Sequence, residues 1–247
     1  MLVYHTPADI NPELPSSGCV VVIDVLRATS TIVTALHHGC RKIIPVSEIS
    51  QAWAMAEEKK SCSFLMAGER KGRIIKDFDL GNSPSDFTVE KVRNKSIVLT
   101  TSNGTRALKR CDLVQSVLIC SLLNVQAVSE CLKFQDPENT IILCAGSDNQ
   151  PSLEDSVCAG LLIKNLASLR TVPLGEGCEY ALSVARRYGS DVHAMLHAAP
   201  HGRFLQSIGF GRDLDDCARL NSFKIVPRYR NRVIKAMPCI DDQSWMN

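Results

Sequence analysis

Cys19-Val20-Val21-Val22-Ile23-Asp24-Val25-Leu26-Arg27-Ala28-Thr29-Ser30-Thr31 decides the fold class of this chain. An apolar, β-branched run stops at an acid, and residues 28–38 continue with apolar and small residues at helical spacing, which predicts strand, loop, helix. Gly39 supplies a helix stop, and residues 42–46 read as a second strand. Outward from there the alternation persists: a helix over 50–60, a strand over 63–67, and a strand over 96–100 with a polar loop at 101–105 and a helix starting at 106–110. Residues 140–145 form a further strand, whose loop at 146–152 leads into a long helix from 153 to about 169. Strands and helices of these lengths predict an α/β fold: a mainly parallel sheet with helices on both faces, a three-layer α/β/α sandwich. The reading takes residues 1–247 as one enzyme domain, with a subdivision near 125–140, and two similar α/β halves with the site in the cleft between them, as the variant. Ligands of such sheets lie at the carboxyl ends of the strands, so the loops after Ile23, Leu99 and Ala145 share one edge.

The bulk numbers exclude several classes. With 247 residues, 45% hydrophobic and 22% charged, the chain has ordinary globular composition. A net charge of +2 with dispersed basic residues gives no footprint for nucleic acid or an anionic membrane. The eleven cysteines form no Cys-x-x-Cys pair, and several sit inside apolar runs such as Ile119-Cys120 and Leu143-Cys144-Ala145. That is how small buried hydrophobes behave in a reducing compartment. Residues 1–10 lack a basic region followed by a long apolar core, and no stretch approaches the roughly 18 apolar residues of a membrane span. The expected location is the cytoplasm.

Chemistry-bearing residues cluster after the strands. At the end of the first strand Asp24 can hold a divalent cation, Arg27 offers a planar fork for an oxyanion, and Ser30 and Thr31 can present hydroxyls at a helix start. The same pattern also fits an N-cap followed by an exposed Arg. Gly68-Glu69-Arg70-Lys71-Gly72 supplies a second acid and a second anion fork, and reads alternatively as a charged turn. It opens a loop at 70–88, a candidate lid or binding loop that includes Asn82. Thr101, Ser102, Asn103, Gly104 and Thr105 form a candidate backbone nest for anionic oxygens, or an ordinary Asn-Gly turn. Glu154 and Asp155 fall in the first turn of the long helix, where the macrodipole alone favours acids but where either can also ligate a metal.

Several known phosphate-handling motifs fail on spelling. None of the cysteines has an Arg six residues on, there is no Gly-x-x-x-x-Gly-Lys-Ser/Thr loop, and Asp77-Phe78-Asp79 does not follow a buried strand. His193, His197 and His201, spaced by four, read as polar residues on one exposed helix face without a companion carboxylate, in preference to the alternative of a metal site. The role of residues 189–220 in the core is not assigned by pattern.

The segments Asp24-Val25-Leu26-Arg27-Ala28-Thr29-Ser30-Thr31, Gly68-Glu69-Arg70, Phe78-Asp79-Leu80-Gly81-Asn82-Ser83-Pro84, Thr100-Thr101-Ser102-Asn103-Gly104-Thr105 and Ser152-Leu153-Glu154-Asp155 together resemble the 2-phosphosulfolactate phosphatase family, in that family's order, with weaker similarity around 209–227. The resemblance implies magnesium-dependent hydrolysis of (2R)-phosphosulfolactate to sulfolactate and phosphate, a step toward coenzyme M in methanogens. The family's glycine-rich stretch before Ser-Leu-Glu-Asp is here Ser147-Asp148-Asn149-Gln150-Pro151, a departure that bears on any backbone anion contact in this loop. The residues expected to carry the reaction are Asp24, Glu69 and Asp155 as catalytic groups; Asp24, Glu69, Glu154 and Asp155 as Mg2+ ligands; and Arg27, Ser30, Thr31, Arg70, Asn82 and residues 101–105 as contacts to a small anionic phosphate ester. The competing readings are a metal-dependent lyase or isomerase of a small phosphorylated acid, and a non-catalytic anion-binding protein. A homodimer is the expected assembly, as for many enzymes of this size.

Overall fold

A computed structural model describes residues 1–10, 14, 18–58, 63–135, 139–169 and 171–237. Strand β2 (Cys19–Ile23) is buried along its whole length, because β7 (Ser116–Cys120) and β8 (Thr140–Cys144) flank it in parallel and helices cover both faces. With β1 (Leu2–Tyr4) beside β8, these strands form a first parallel block. Strands β3 (Lys42–Pro45), β6 (Ser96–Thr100) and β4 (Phe64–Arg70) form a second, edged by the short antiparallel β5 (Arg73–Ile74). A hairpin of β9 (Pro227–Arg230) and β10 (Val233–Ala236) joins the blocks into one sheet of order β1-β8-β2-β7-β9-β10-β3-β6-β4-β5.

The expected α/β architecture with a mainly parallel sheet is what forms, and its parallel strands fall into two blocks. The hairpin pairs antiparallel with both β7 and β3, so the blocks run in opposite senses along the ladder. Five strand-to-strand steps separate β2 from β6, and at roughly 20–25° of twist per step the sheet turns by about 100–125°. That coil lets the carboxyl ends of β2 and β6 meet. Asn231 and Arg232, both at positive φ (51° and 61°), make the two-residue turn whose twist matches a hairpin.

Helix α1 (Ala28–His37) is enclosed between the blocks, with nine of its residues buried. It is rich in Ser and Thr, and burial is tolerated because every hydroxyl is satisfied locally: Thr29 donates to Asp24 O, Ser30 to Val25 O, Thr31 to Asn82 O and Thr34 to Ser30 O. Alongside it lies α4 (Gly104–Arg110), and both pack into the core shared by β2, β3, β6, β7 and β8. The opposite face of the first block is covered by α5 (Val125–Gln135), α6 (Leu153–Ala167) and α7 (Cys178–Tyr188), and by residues of the short helices α8 (Val192–Ala198), α9 (Pro200–Ser207) and α10 (Gly211–Cys217). The second block is covered by α2 (Ile49–Glu58), and α3 (Val89–Val92) precedes β6.

Nine cysteines among the described residues are buried and free, with thiols such as Cys40 and Cys111 pushed up by burial, as small hydrophobes in the core. No helix among the described residues is long and apolar enough to cross a membrane. Residues 59 and 60 of the expected second helix lie outside the described residues.

Candidate active site

The loops after β2, β4 and β6 and the start of α6 close around one cavity of about 700 Å³. Four carboxylates line it: Asp148, which is exposed, and Asp24, Glu69 and Glu154, each at most 7% exposed. Asp24 follows β2, and its Oδ1 accepts from the Ala28 N–H at the start of α1 (3.1 Å). Gly104 presses against its other oxygen, so closely that a Cβ there would lie 2.6 Å from Asp24 Oδ2. Glycine at this position is therefore what allows the β6 loop to reach the β2 loop. Glu69 holds the β4 and β6 loops together: Oε1 accepts from Ser102 N (2.7 Å), and Oε2 from Gly72 N (2.8 Å) and the Ser102 hydroxyl (3.3 Å).

Glu154 differs from both. Its Oε2 is buried without a hydrogen-bond partner, as are Asn82 Oδ1 and Ser152 Oγ. Burial, and then the charge of neighbouring Asp155, push the Glu154 carboxyl far above the usual range; burial and the charges of Asp155 and Glu69 do the same to Asp24. Asp155 does not line the cavity. Its Oδ1 accepts from Val25 N (2.8 Å) and its Oδ2 from Gly146 N (3.1 Å), so it ties the loop after β2 to the loop after β8.

The two arginines part company. Arg27 lines the cavity and is 3% exposed; its Nη1 donates to Asp213 and to Ser83 Oγ (3.2 Å), and its Nη2 to Gly72 O (2.7 Å). The Phe210 ring lies 4.6 Å from its guanidinium carbon. Of the five N–H groups of a guanidinium, two remain for a ligand. Arg70 points elsewhere: it donates to Glu69 O, Ser47 O and Thr100 Oγ1 and borders a separate cavity of about 420 Å³ with Arg106 and Lys109. Ser30 and Thr31 spend their hydroxyls on backbone carbonyls, and Thr105 bonds reciprocally with Thr101 (3.0 and 3.1 Å). Of the expected contact residues, Arg27, Asn82, Thr101, Ser102 and Asn103 line the main cavity.

Comparison with known proteins settles the family. The family model described as 2-phosphosulpholactate phosphatase matches residues 4–232. The chain is 36% identical over 232 residues to a protein of Caldanaerobacter subterraneus subsp. tengcongensis, covering 94% of this chain and 96% of that one. It is 35% identical over 230 residues to one of Clostridium tetani, covering 92% and 96%. For one of Symbiobacterium thermophilum the identity is 39% over 208 residues, covering 84% and 89%. Each of these relatives is named "Probable 2-phosphosulfolactate phosphatase". The chain belongs to the 2-phosphosulfolactate phosphatase family.

Within this family chain, several cavity residues were not singled out by sequence reasoning. Lys71, Phe204 and His201 line the wall, while Asp213 and Ser83 grip Arg27 from behind. Asp213 lies in Gly211-Arg212-Asp213-Leu214, a segment with no strand before it and no motif of its own, touched only by the weaker similarity at 209–227. His201 had a readable signal. Pro200 breaks the helical run at Ala199, so His201 starts a new helix and turns to the cavity while His193 and His197 stay together on α8. The expectation of three histidines on one face is corrected accordingly. The absence of a companion carboxylate is corrected too, since Asp215 bonds both His193 and His197.

Proposed function

We propose that this chain hydrolyses (2R)-2-phospho-3-sulfolactate to 3-sulfolactate and phosphate with Mg2+ bound among Asp24, Glu69 and Glu154. The observation that carries the reading is the donor set itself: three buried carboxylates facing one cavity, one with an unpartnered oxygen, opposite an anchored guanidinium. Uncompensated buried carboxylates of like charge are costly, and oxygen-only donors suit a hard cation. When bound, such a cation supplies neutralisation of the phosphoryl oxygens and a fixed position for them.

The chain's own groups do the rest. Arg27 offers two unspent N–H groups to an oxyanion, and its orientation is locked by Asp213, Ser83 and Gly72 O. Lys71 adds a further positive charge to the wall, as a substrate with phosphate, carboxylate and sulfonate groups needs. Glu154, holding the cation through Oε1 at most, would take the proton of the attacking water on Oε2, which has no protein partner, while the ester P–O bond breaks and the departing sulfolactate oxygen takes a proton from solvent. Asp155 holds the backbone at Val25 and Gly146 and so aims Asp24 and the start of α6. We extend the reading to a cytoplasmic enzyme, which the buried, free cysteines among the described residues support.

The test is phosphate release from racemic phosphosulfolactate, with Mg2+ and again with excess chelator. Release from about half of the racemate, abolished by chelation and in Asp24→Asn, is the expected outcome. Undiminished release from the Asp24→Asn protein would sink the reading.

A further inference from the structure

We propose that His193, His197 and Asp215 form a second metal site, for a transition cation of the zinc class, that staples α8 to α10. His193 and His197 are four residues apart on α8 and therefore share a face; their rings lie 4.5 Å apart between centroids. Asp215, on α10, turns one carboxylate oxygen toward both: Oδ1 lies 2.9 Å from His193 Nε2 and 3.1 Å from His197 Nε2. The three ligand atoms all lie within 4.8 Å of one another. Tetrahedral zinc, with bonds of about 2.0–2.1 Å, sets its donors roughly 3.3 Å apart, so the cluster stands a few tenths of an ångström from that separation along both Asp215 contacts.

Donor chemistry separates this site from the cavity. Two imidazole nitrogens and one carboxylate oxygen suit zinc, nickel or copper, whereas magnesium takes oxygen donors. A supporting partner is already in place: the amide of Gln206, on α9, lies 2.6 Å from His197 Nδ1. As placed, Gln206 Nε2 donates to His197 Nδ1 and the imidazole proton on Nε2 faces Asp215; a cation at Nε2 displaces that proton, and turning the amide over lets its oxygen accept from Nδ1–H and hold the metal-binding tautomer. His193 and Asp215 have side chains 60% and 58% exposed, which leaves a fourth coordination position open to water. Asp215 sits two residues beyond Asp213, the anchor of Arg27, so a cation here pins the helix that holds the arginine. The site stands on geometry that owes nothing to the phosphatase reading.

The experiment is calorimetric titration of the full chain with ZnCl2 in a large excess of MgCl2, which competes for the carboxylates of the main cavity, with Glu154→Gln as the control for zinc bound there beside His201. One equivalent of zinc should bind and raise the Tm by about 3 °C or more. The double variant His193→Ala/His197→Ala should lose both the binding and the shift, and Gln206→Ala should weaken binding roughly tenfold. Glu154→Gln should bind zinc as the parent does. The histidines are partly or largely exposed, so the double variant should melt within about 1 °C of the parent in chelator, which separates loss of a site from loss of the fold. Zinc binding that survives in the double variant, or none in the parent, overturns the proposal.

Discussion

At the scale of single residues, two arginines of similar sequence setting have opposite surroundings. Arg27 is sealed against Asp213, Ser83 and Gly72 O and lines the main cavity, whereas Arg70 is spent on Ser47 O, Thr100 Oγ1 and Glu69 O. Arg27→Lys should therefore lower kcat/KM by about 10²-fold, because a point charge cannot reproduce the fork, while Arg70→Lys changes it by less than about tenfold; steady-state kinetics on both variants checks the contrast. Asp213→Ala leaves a buried guanidinium without its partner and should cost roughly 3–5 kcal/mol of stability, read as a lowered denaturant midpoint. If Glu154 is the general base proposed above, Glu154→Gln should drop kcat about 10²–10⁴-fold, with the melting temperature maintained or raised. Sequence alone exposed Asp24, Glu69, Arg27 and Glu154, because each stands just after a buried strand or at a helix start. Asp213 and the direction of Arg70 were hidden, since one belongs to a distant helix and the other depends on which carbonyls the side chain finds.

At the scale of elements, the strongly periodic ones were readable and the context-dependent ones were not. Residues 19–23, 96–100 and 140–144 are apolar runs whose neighbours bracket them with polar loops. Ser116–Cys120, equally apolar, escaped as a strand because no polar motif follows it. The β9–β10 hairpin escaped because Pro227-Arg228-Tyr229-Arg230 looks charged; Pro227 and Tyr229, both buried, mark the inward face. The Tyr229 hydroxyl also bonds Asp112. Tyr229→Ala should cost about 3–5 kcal/mol, as large aromatic truncations in cores do, and lower the Tm by roughly 10 °C, measured by circular dichroism.

At the scale of the whole molecule, the proposed Mg2+ would compete with protons for the same buried carboxyls. Asp24, Glu154 and Asp155 all have carboxyls raised by burial and, for the first two, by neighbouring acids. The folded protein then binds more protons than the unfolded chain, whose carboxylates titrate near pH 4. Stability from these groups is thus present in acid and is lost as pH rises through the folded values. In chelator, the Tm should fall between about pH 5 and 8; millimolar Mg2+ should suppress that fall. A chelated protein equally stable across this range would contradict the assignment of the carboxylates as a cation-dependent cluster.

The hairpin that joins the two parallel blocks is also the last pair of strands made among the described residues. During synthesis every other strand leaves the ribosome first, so β7 and β3 each wait with an open edge that only residues 227–236 can cover. A nascent chain stalled before that point would carry two adhesive borders, and it is there that self-association and chaperone capture should concentrate.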